Sequence, residues 1–194
     1  MGTSIPAPPW GTLPGPGVAV RIHSESLIHH ARDDVYLAYR DKLSEVAAYT
    51  PDIREIRVVE RVDGDGTVQL HNLWVAEREV PSFAKAIIKP DMMCWDDHAA
   101  WSDAEQLVRW ELHVRAFSES VTCKGTNSFH VVDAHTTRVL LEGELQIDLA
   151  KVRGVPRLMA GRLGPKVERF IVSLITPNLE RVNESLGAYL DDRD

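Results

Sequence analysis

The sequence is poor in cysteine, which excludes a scaffold built on disulfides. Cys94 and Cys123 are the only two cysteines among its 194 residues. Small secreted domains that depend on disulfides carry many more for their size. Both cysteines lie in strand-like segments, so we expect two reduced, half-buried thiols.

Long hydrophobic runs are also missing. No run approaches the roughly 20 apolar residues that a membrane-spanning helix needs. The chain does not open on a basic segment followed by an apolar one, as a signal peptide does. Pro6 stands where a myristoylation motif starting at Gly2 requires Ser or Thr. We therefore expect a cytoplasmic protein with no integral membrane segment.

The chain has no excess of positive charge. Its net charge is −7 at pH 7, whereas proteins that bind nucleic acid or anionic membranes present a basic face. We therefore expect no nucleic-acid partner. Among catalytic motifs, neither a G-x-S-x-G sequence nor a phosphate-cradling loop occurs, so no catalytic residue and no cofactor is assigned.

The composition is that of an ordinary globular protein, with 44% hydrophobic and 26% charged residues. Residues 1–17 hold five prolines and four glycines, a composition that favours an irregular arm. After this arm the composition does not change again along the chain. We expect one domain over residues 18–194.

Alternation of apolar and polar residues predicts most of this domain to be β-strand. The cleanest case is 107–117, where Val108, Trp110, Leu112 and Val114 alternate with charged residues. The full set of predicted strands is 18–28, 53–62, 67–77, 92–101, 107–117, 121–132 and 137–148. Their lengths and short turns favour an antiparallel meander.

Three segments have helical spacing instead. Residues 31–49 predict two short helices broken near Asp41, and 81–88 a further short helix. Residues 156–194 predict one long amphipathic helix that bends or pauses near Pro177, because proline removes a helical hydrogen bond. A long helix must bury its apolar stripe, and the sheet is the large partner available. The fold class is therefore α+β, a curved antiparallel sheet of six or seven strands around one C-terminal helix.

This order of elements resembles the helix-grip fold of the START-like (SRPBCC) superfamily, over about residues 18–190. Three local stretches support the resemblance: V-Y-L-A-Y-R-D at 35–41, P-S-F-A-K-A-I-I at 81–88 and G-P-K-V-E-R-F-I at 164–171. The superfamily includes pollen-allergen-like proteins, lipid-transfer proteins and polyketide aromatases/cyclases. The turn at 63–66 is shorter than the glycine-rich loop of the plant members, which argues against a plant-hormone-type ligand.

The resemblance implies an internal cavity, between sheet and helix, that holds an apolar ligand. Strand parity and helix phase predict its lining and a volume of several hundred Å3, within the usual range of about 300–1,000 Å3, bounded by Trp110 and Phe170. The predicted ligand-binding residues are Trp74, Val108, Trp110, Leu112, Val114, Phe129, Leu141, Leu145, Leu163, Val167, Phe170 and Leu174.

Three functions remain open on the sequence. The first is binding or transport of a lipid-like or polyaromatic small molecule. The second is a cavity enzyme of the polyketide aromatase/cyclase type, which requires an inward-facing ionisable pair. The third is a protein-interaction module of the same fold, and a protein partner or a homodimer is compatible with any of them.

Two ionisable patterns are candidates for metal binding. Asp63-Gly64-Asp65-Gly66 resembles the start of a calcium loop, but the later ligands are missing. Asp96-Asp97-His98 is the densest ionisable cluster, and Asp96 and His98 share a strand face. No further ligands are marked in the sequence, so we interpret the cluster as a solvated strand face and expect no metal.

Overall fold

The computed structural model describes residues 18–80, 92–117, 119–148 and 160–193, and positions 82, 85, 89 and 151. For Val18, 160–164, Val167 and Leu174 it describes the backbone alone. The arm at 1–17 lies outside the described residues, and so does most of the short helix predicted at 81–88.

Seven strands form one antiparallel sheet, as the alternation predicts. Their order across the sheet is β1-β7-β6-β5-β4-β3-β2, so β1 and β7 close a meander that otherwise follows the chain. The strands are β1 (Val18–Ile28), β2 (Ile53–Gly64), β3 (Thr67–Ala76), β4 (Cys94–Ser102), β5 (Leu107–Val114), β6 (Val121–Asp133) and β7 (Thr136–Ile147). The predicted turn at 63–66 joins β2 to β3, and Gly66 there has a φ of 66°, which glycine adopts without strain.

Two short helices follow β1. They are α1 (Arg32–Asp41) and α2 (Leu43–Val46), with a 3-10 turn at Ala47–Tyr49. The break predicted near Asp41 falls at Lys42, whose N–H still reaches the Ala38 carbonyl. Asp33 and Asp34 occupy the first turn of α1, where a negative charge meets unpaired backbone N–H groups.

The long C-terminal helix α3 runs over Ala160–Asp191 and continues through Pro177. Proline has no N–H, so the carbonyl four residues earlier, that of Ser173, loses its helical donor. Arg78 supplies a replacement, because its Nη1 donates to Ser173 O at 2.7 Å. The pause predicted near Pro177 is therefore absent, and the helix is held through that point by a side chain from beyond β3.

The core lies between the inner face of the sheet and the helices. From β7, Val139, Leu141, Leu145 and Ile147 are fully buried, and α3 contributes Ile171, Ile175, Val182 and Leu186. Both cysteines are buried and neither forms a disulfide, which corrects the half-buried expectation. Cys123 lies on the inner face of β6, whereas Cys94 has the same strand parity as Asp96 on β4. Among the described residues, no helix has the length and hydropathy to cross a membrane.

Candidate ligand cavity

Directly paired residues on β3, β4 and β5 form rows across the inner face of the sheet. Strand pairing places cross-strand neighbours about 5 Å apart, so a row acts as one surface. From one end, the rows are Trp74-Trp95-Val114, Asn72-Asp97-Leu112, Leu70-Ala99-Trp110 and Val68-Trp101-Val108.

A cavity lies between these rows, α1 and α3. Its volume is about 40 Å3, enough for about three water-sized groups. This is far below the predicted several hundred Å3, because α3 brings Ile175 and Leu179 close to the sheet.

Four of the twelve predicted residues line the cavity: Trp74, Val108, Trp110 and Leu112. Five others are buried but are not among the lining residues: Val114, Phe129, Leu141, Leu145 and Phe170. Phe129, for example, packs edge to face against Tyr36 and Tyr39, with ring centroids 5.3 and 5.9 Å away. Phe170 is thus no boundary of the cavity. The side chains of Leu163, Val167 and Leu174 lie outside the described residues.

The remaining lining residues were missed by sequence reasoning. They are Tyr39, Leu43, Leu70, Asn72, Trp95, Asp97, Ala99, Trp101, Ile175, Asn178 and Leu179. A signal was present on β4, where Trp95, Asp97, Ala99 and Trp101 alternate with more polar residues. Extending this alternation along the whole of β4 would have predicted that the Asp97 side chain faces the interior.

Among the described residues of this lining, Asp97 is the one that carries a carboxyl group, and it is only 6% exposed. Its Oδ2 accepts hydrogen bonds from Asn72 Nδ2 at 3.1 Å and Trp74 Nε1 at 3.3 Å. Within the described part of the chain, Asp97 Oδ1, Asn72 Oδ1 and Trp101 Nε1 are buried with no hydrogen-bond partner. Buried polar atoms are nearly always paired, so these three leave hydrogen-bonding capacity at the cavity for a water molecule or another small group.

Burial raises the pKa of Asp97 to about 6, although hydrogen bonds from Asn72 and Trp74 and the charge of His71 oppose the rise. The neighbouring carboxyl shows the reverse. Arg115 donates to both oxygens of Asp96 at 2.7 and 2.8 Å, and His71 contacts it at 2.8 Å. The hydrogen bonds from Arg115 lower the pKa of Asp96 to about 2, against the effect of its partial burial.

A second polar chain positions Trp110 and Tyr39. Trp110 Nε1 donates to Asn127 Oδ1 at 2.9 Å, and Asn127 Nδ2 donates to the Tyr39 hydroxyl at 3.0 Å. Burial, and to a lesser degree the charge of Asp97, raises the pKa of Tyr39. Tyr39 therefore stays a neutral phenol whose own O–H is left to donate.

Paired glycines make room for the Trp110 indole. Gly125 on β6 lies opposite Gly143 on β7. A Cβ added at Gly125 or Gly143 would come within 2.5 or 2.8 Å of the indole ring. The absence of side chains at this pair lets the indole lie against the backbone.

The metal hypothesis for Asp96-Asp97-His98 finds no support in the residues described, which contain no group of three ligands able to hold a metal ion. Asp96 and His98 share the outer face, where His98 stacks on His71 with centroids 4.5 Å apart. His98 is exposed there, whereas Asp96 is largely covered and paired with Arg115 and His71, so the prediction of a solvated face fits His98 and not Asp96. For Asp97 it was wrong, because that residue points into the cavity.

Solved structures of similar shape include the protein TTHA0849 from Thermus thermophilus, with 18% identity and a TM-score of 0.59 over 90% of this chain and 99% of that one. The Zhui aromatase/cyclase from Streptomyces sp. R1128 has 14% identity and a TM-score of 0.62 over 91% and 96% of the two chains. Norcoclaurine synthase from Thalictrum flavum has 11% identity and a TM-score of 0.52 over 90% and 87%.

Sequence comparison adds no assignment: no protein-family model matches the chain, and no curated protein matches it significantly. The structural similarity and the observed topology agree with the resemblance seen in the sequence. The chain has the helix-grip fold.

Proposed function

We propose that the protein binds a hydrophobic small molecule in the cavity between the sheet and α3. The observation that carries this proposal is the lining itself. Four tryptophans and several aliphatic side chains form the walls, and a few polar groups lie among them. Small-molecule sites have this composition, with apolar walls for affinity and a few placed polar atoms for orientation.

The volume limits what enters without movement. At about 40 Å3 the cavity encloses only part of a lipid or a polyaromatic compound. A larger ligand requires Ile175 and Leu179 of α3 to move away from β4 and β5. Because such a ligand binds the folded state alone, it raises the temperature of unfolding.

The test is a titration with the fluorescent apolar probe N-phenyl-1-naphthylamine, followed by displacement with naphthalene, indole and lauric acid. We expect saturable binding that Leu70→Ala, in the wall, weakens or strengthens at least threefold. Leu145→Ala is the matched control, since it removes the same atoms from a buried site outside the lining. No saturable binding across the panel, or equal effects of both variants, would overturn the proposal.

One observation favours a second candidate, a cavity enzyme. A carboxyl with a pKa of about 6 can exchange protons near neutral pH, and Tyr39 adds a neutral O–H donor at the same cavity. The aromatase/cyclase among the similar structures is an enzyme of this fold by its name. Loss of a bound compound in the presence of wild type but not of Asp97→Asn, followed by mass spectrometry, would favour the enzyme; unchanged compounds favour the carrier.

A further inference from the structure

The polar end of the cavity has two hydrogen-bond acceptors in one row. Asp97 and Asn72 are directly paired across β4 and β3. Each keeps one buried side-chain oxygen without a partner among the residues described, Asp97 Oδ1 and Asn72 Oδ1. A group that satisfies both must carry at least two donor hydrogens on one atom or on adjacent atoms.

The charge at this end is uncompensated. No lysine, arginine or histidine in the described part of the chain forms an ion pair or hydrogen bond with Asp97. The titratable groups that act on it are the Tyr39 hydroxyl from α1 and His71, which points to the opposite face of the sheet and is held by Asp96. From β5 and α3, the described lining residues carry no charge: Val108, Trp110, Leu112, Ile175, Asn178 and Leu179. A buried anion without a counter-ion is costly, and a cationic ligand offsets that cost.

The walls around the carboxyl are those that suit an organic cation. Trp74 and Trp95 stack with centroids 5.7 Å apart and an angle of 18° between their planes. Trp101 and Trp110 complete the indole lining. Aromatic faces attract ammonium groups, most strongly where water is excluded, and tryptophan is the best of them.

We propose that this site recognises a protonated primary amine, with the ammonium group between Asp97 Oδ1 and Asn72 Oδ1 and an apolar remainder along the indoles. The inference deepens the proposed function and rests on it. A primary ammonium has three N–H donors and one positive charge, which matches two acceptors and one anion. A quaternary ammonium lacks the donors, and an alcohol lacks the charge.

The cavity is the right size for the head of such a ligand. Its volume of about 40 Å3 holds an ammonium group and a few carbon atoms. The rest of the molecule enters when Ile175 and Leu179 move away from the sheet, and it then contacts Leu70 and Val108, which continue the lining away from Asp97. An aromatic ring on a short linker uses both parts of the site, so 2-phenylethylamine is the first probe.

The experiment measures affinity by calorimetry for 2-phenylethylamine, 2-phenylethanol and phenyltrimethylammonium at pH 7. The amine is expected to bind wild type at least tenfold more tightly than the alcohol or the quaternary ion. Asp97→Asn keeps the shape of the side chain and is expected to abolish the preference for the amine over the alcohol. Asp96→Asn is the matched control, because it removes the adjacent carboxyl on the outer face, and it should leave the preference unchanged.

A second measurement does not depend on variants. A bound cation favours the ionised form of Asp97, so binding of the amine at pH 6 releases about half a proton. The proton count comes from calorimetry in two buffers of different ionisation enthalpy. The alcohol should release fewer protons.

The outcomes separate the two proposals. If apolar compounds bind but the amine shows no advantage and releases no proton, the amine inference is overturned and the proposed function stands. If neither the amines nor the apolar panel bind, both are overturned. A preference for the amine that survives Asp97→Asn also overturns the inference, since the carboxyl would then have no part in it.

Discussion

Asp96 and Asp97 are adjacent carboxyls in opposite environments. Asp96 is held by Arg115 and His71 on the outer face, whereas Asp97 faces a cavity walled by indoles. Successive residues of a strand point to opposite faces. Asp96 is therefore ion-paired on the outer face of β4, and the next residue, Asp97, is buried on the inner face. The pKa of each carboxyl moves accordingly, down for Asp96 and up for Asp97.

The raised pKa of Asp97 predicts a specific dependence of stability on pH. Its pKa is about 6 in the folded protein against an ordinary 3.8, so between these values the folded state holds the proton more tightly. Protonated Asp97 therefore contributes to the free energy of unfolding below about pH 4, and this contribution is lost as the pH rises through about 6. Relative to Asp97→Asn, the free energy of unfolding of wild type should fall by about 2–3 kcal/mol between pH 4 and pH 7. Urea unfolding at four pH values measures this, and a difference that is constant with pH would refute it.

Replacement of glycine by alanine should have opposite effects at Gly143, beneath Trp110, and at Gly187 in α3. In Gly143→Ala the new methyl group meets Trp110 at 2.8 Å and the Lys124 carbonyl at 3.0 Å. We expect a loss of about 1–3 kcal/mol in stability from this overpacking. In Gly187→Ala, within α3, the new methyl group lies 3.9 Å from Ile28, an ordinary van der Waals contact, and a gain of about 0.5–1 kcal/mol is expected. Denaturant unfolding of both variants measures these changes in the free energy of unfolding. Stabilisation by Gly143→Ala would contradict the prediction, because it would show that the Trp110 indole does not pack tightly against Gly143.

At the scale of elements, α3 depends on a contact from outside the helix. Pro177 leaves the Ser173 carbonyl without a helical donor, and Arg78 takes that place. The sequence predicts that something must happen at Pro177, but it does not reveal the partner, because Arg78 is 95 positions from Ser173.

This substitution of one donor for another predicts energetic coupling between Arg78 and Pro177. Arg78→Met should cost about 1 kcal/mol in wild type, the usual worth of such a hydrogen bond. In a Pro177→Ala background the helix supplies its own donor, so the cost should shrink to near zero. A double-mutant cycle from denaturant unfolding measures the coupling, and the contact of Arg78 with Asp52 cancels in it. Strictly additive effects would contradict the assignment.

Elements were predicted better than the site, for a physical reason. Alternation and helical spacing are local, and they placed seven strands, two short helices and a long one close to their observed bounds. The cavity depends on how near α3 approaches the sheet, a distance that no local pattern contains. Trp110 and Trp74 were found by parity, whereas Phe170, in a correct helix phase, packs in the core instead.

At the scale of the molecule, the described parts of the sheet and α3 enclose a tightly packed interior, and a cavity with polar groups at one end lies near β3, β4 and β5. The other end, where α3 meets β1 and β7, is filled by fully buried aliphatic side chains such as Leu141, Leu145 and Ile171. The cavity is therefore at the end of the interior where the four tryptophans and Asp97 lie.

The most direct measurement of the central claim is a titration followed by the indole N–H resonances of Trp74, Trp95, Trp101 and Trp110. Naphthalene and 2-phenylethylamine are added separately to isotope-labelled protein. Binding in the cavity predicts that these four resonances shift saturably with one dissociation constant for each ligand, and that Trp101, whose Nε1 has no partner in the described structure, is among the most affected. If the four resonances stay unchanged at saturating concentrations of both compounds, the cavity does not bind small molecules and the account is wrong.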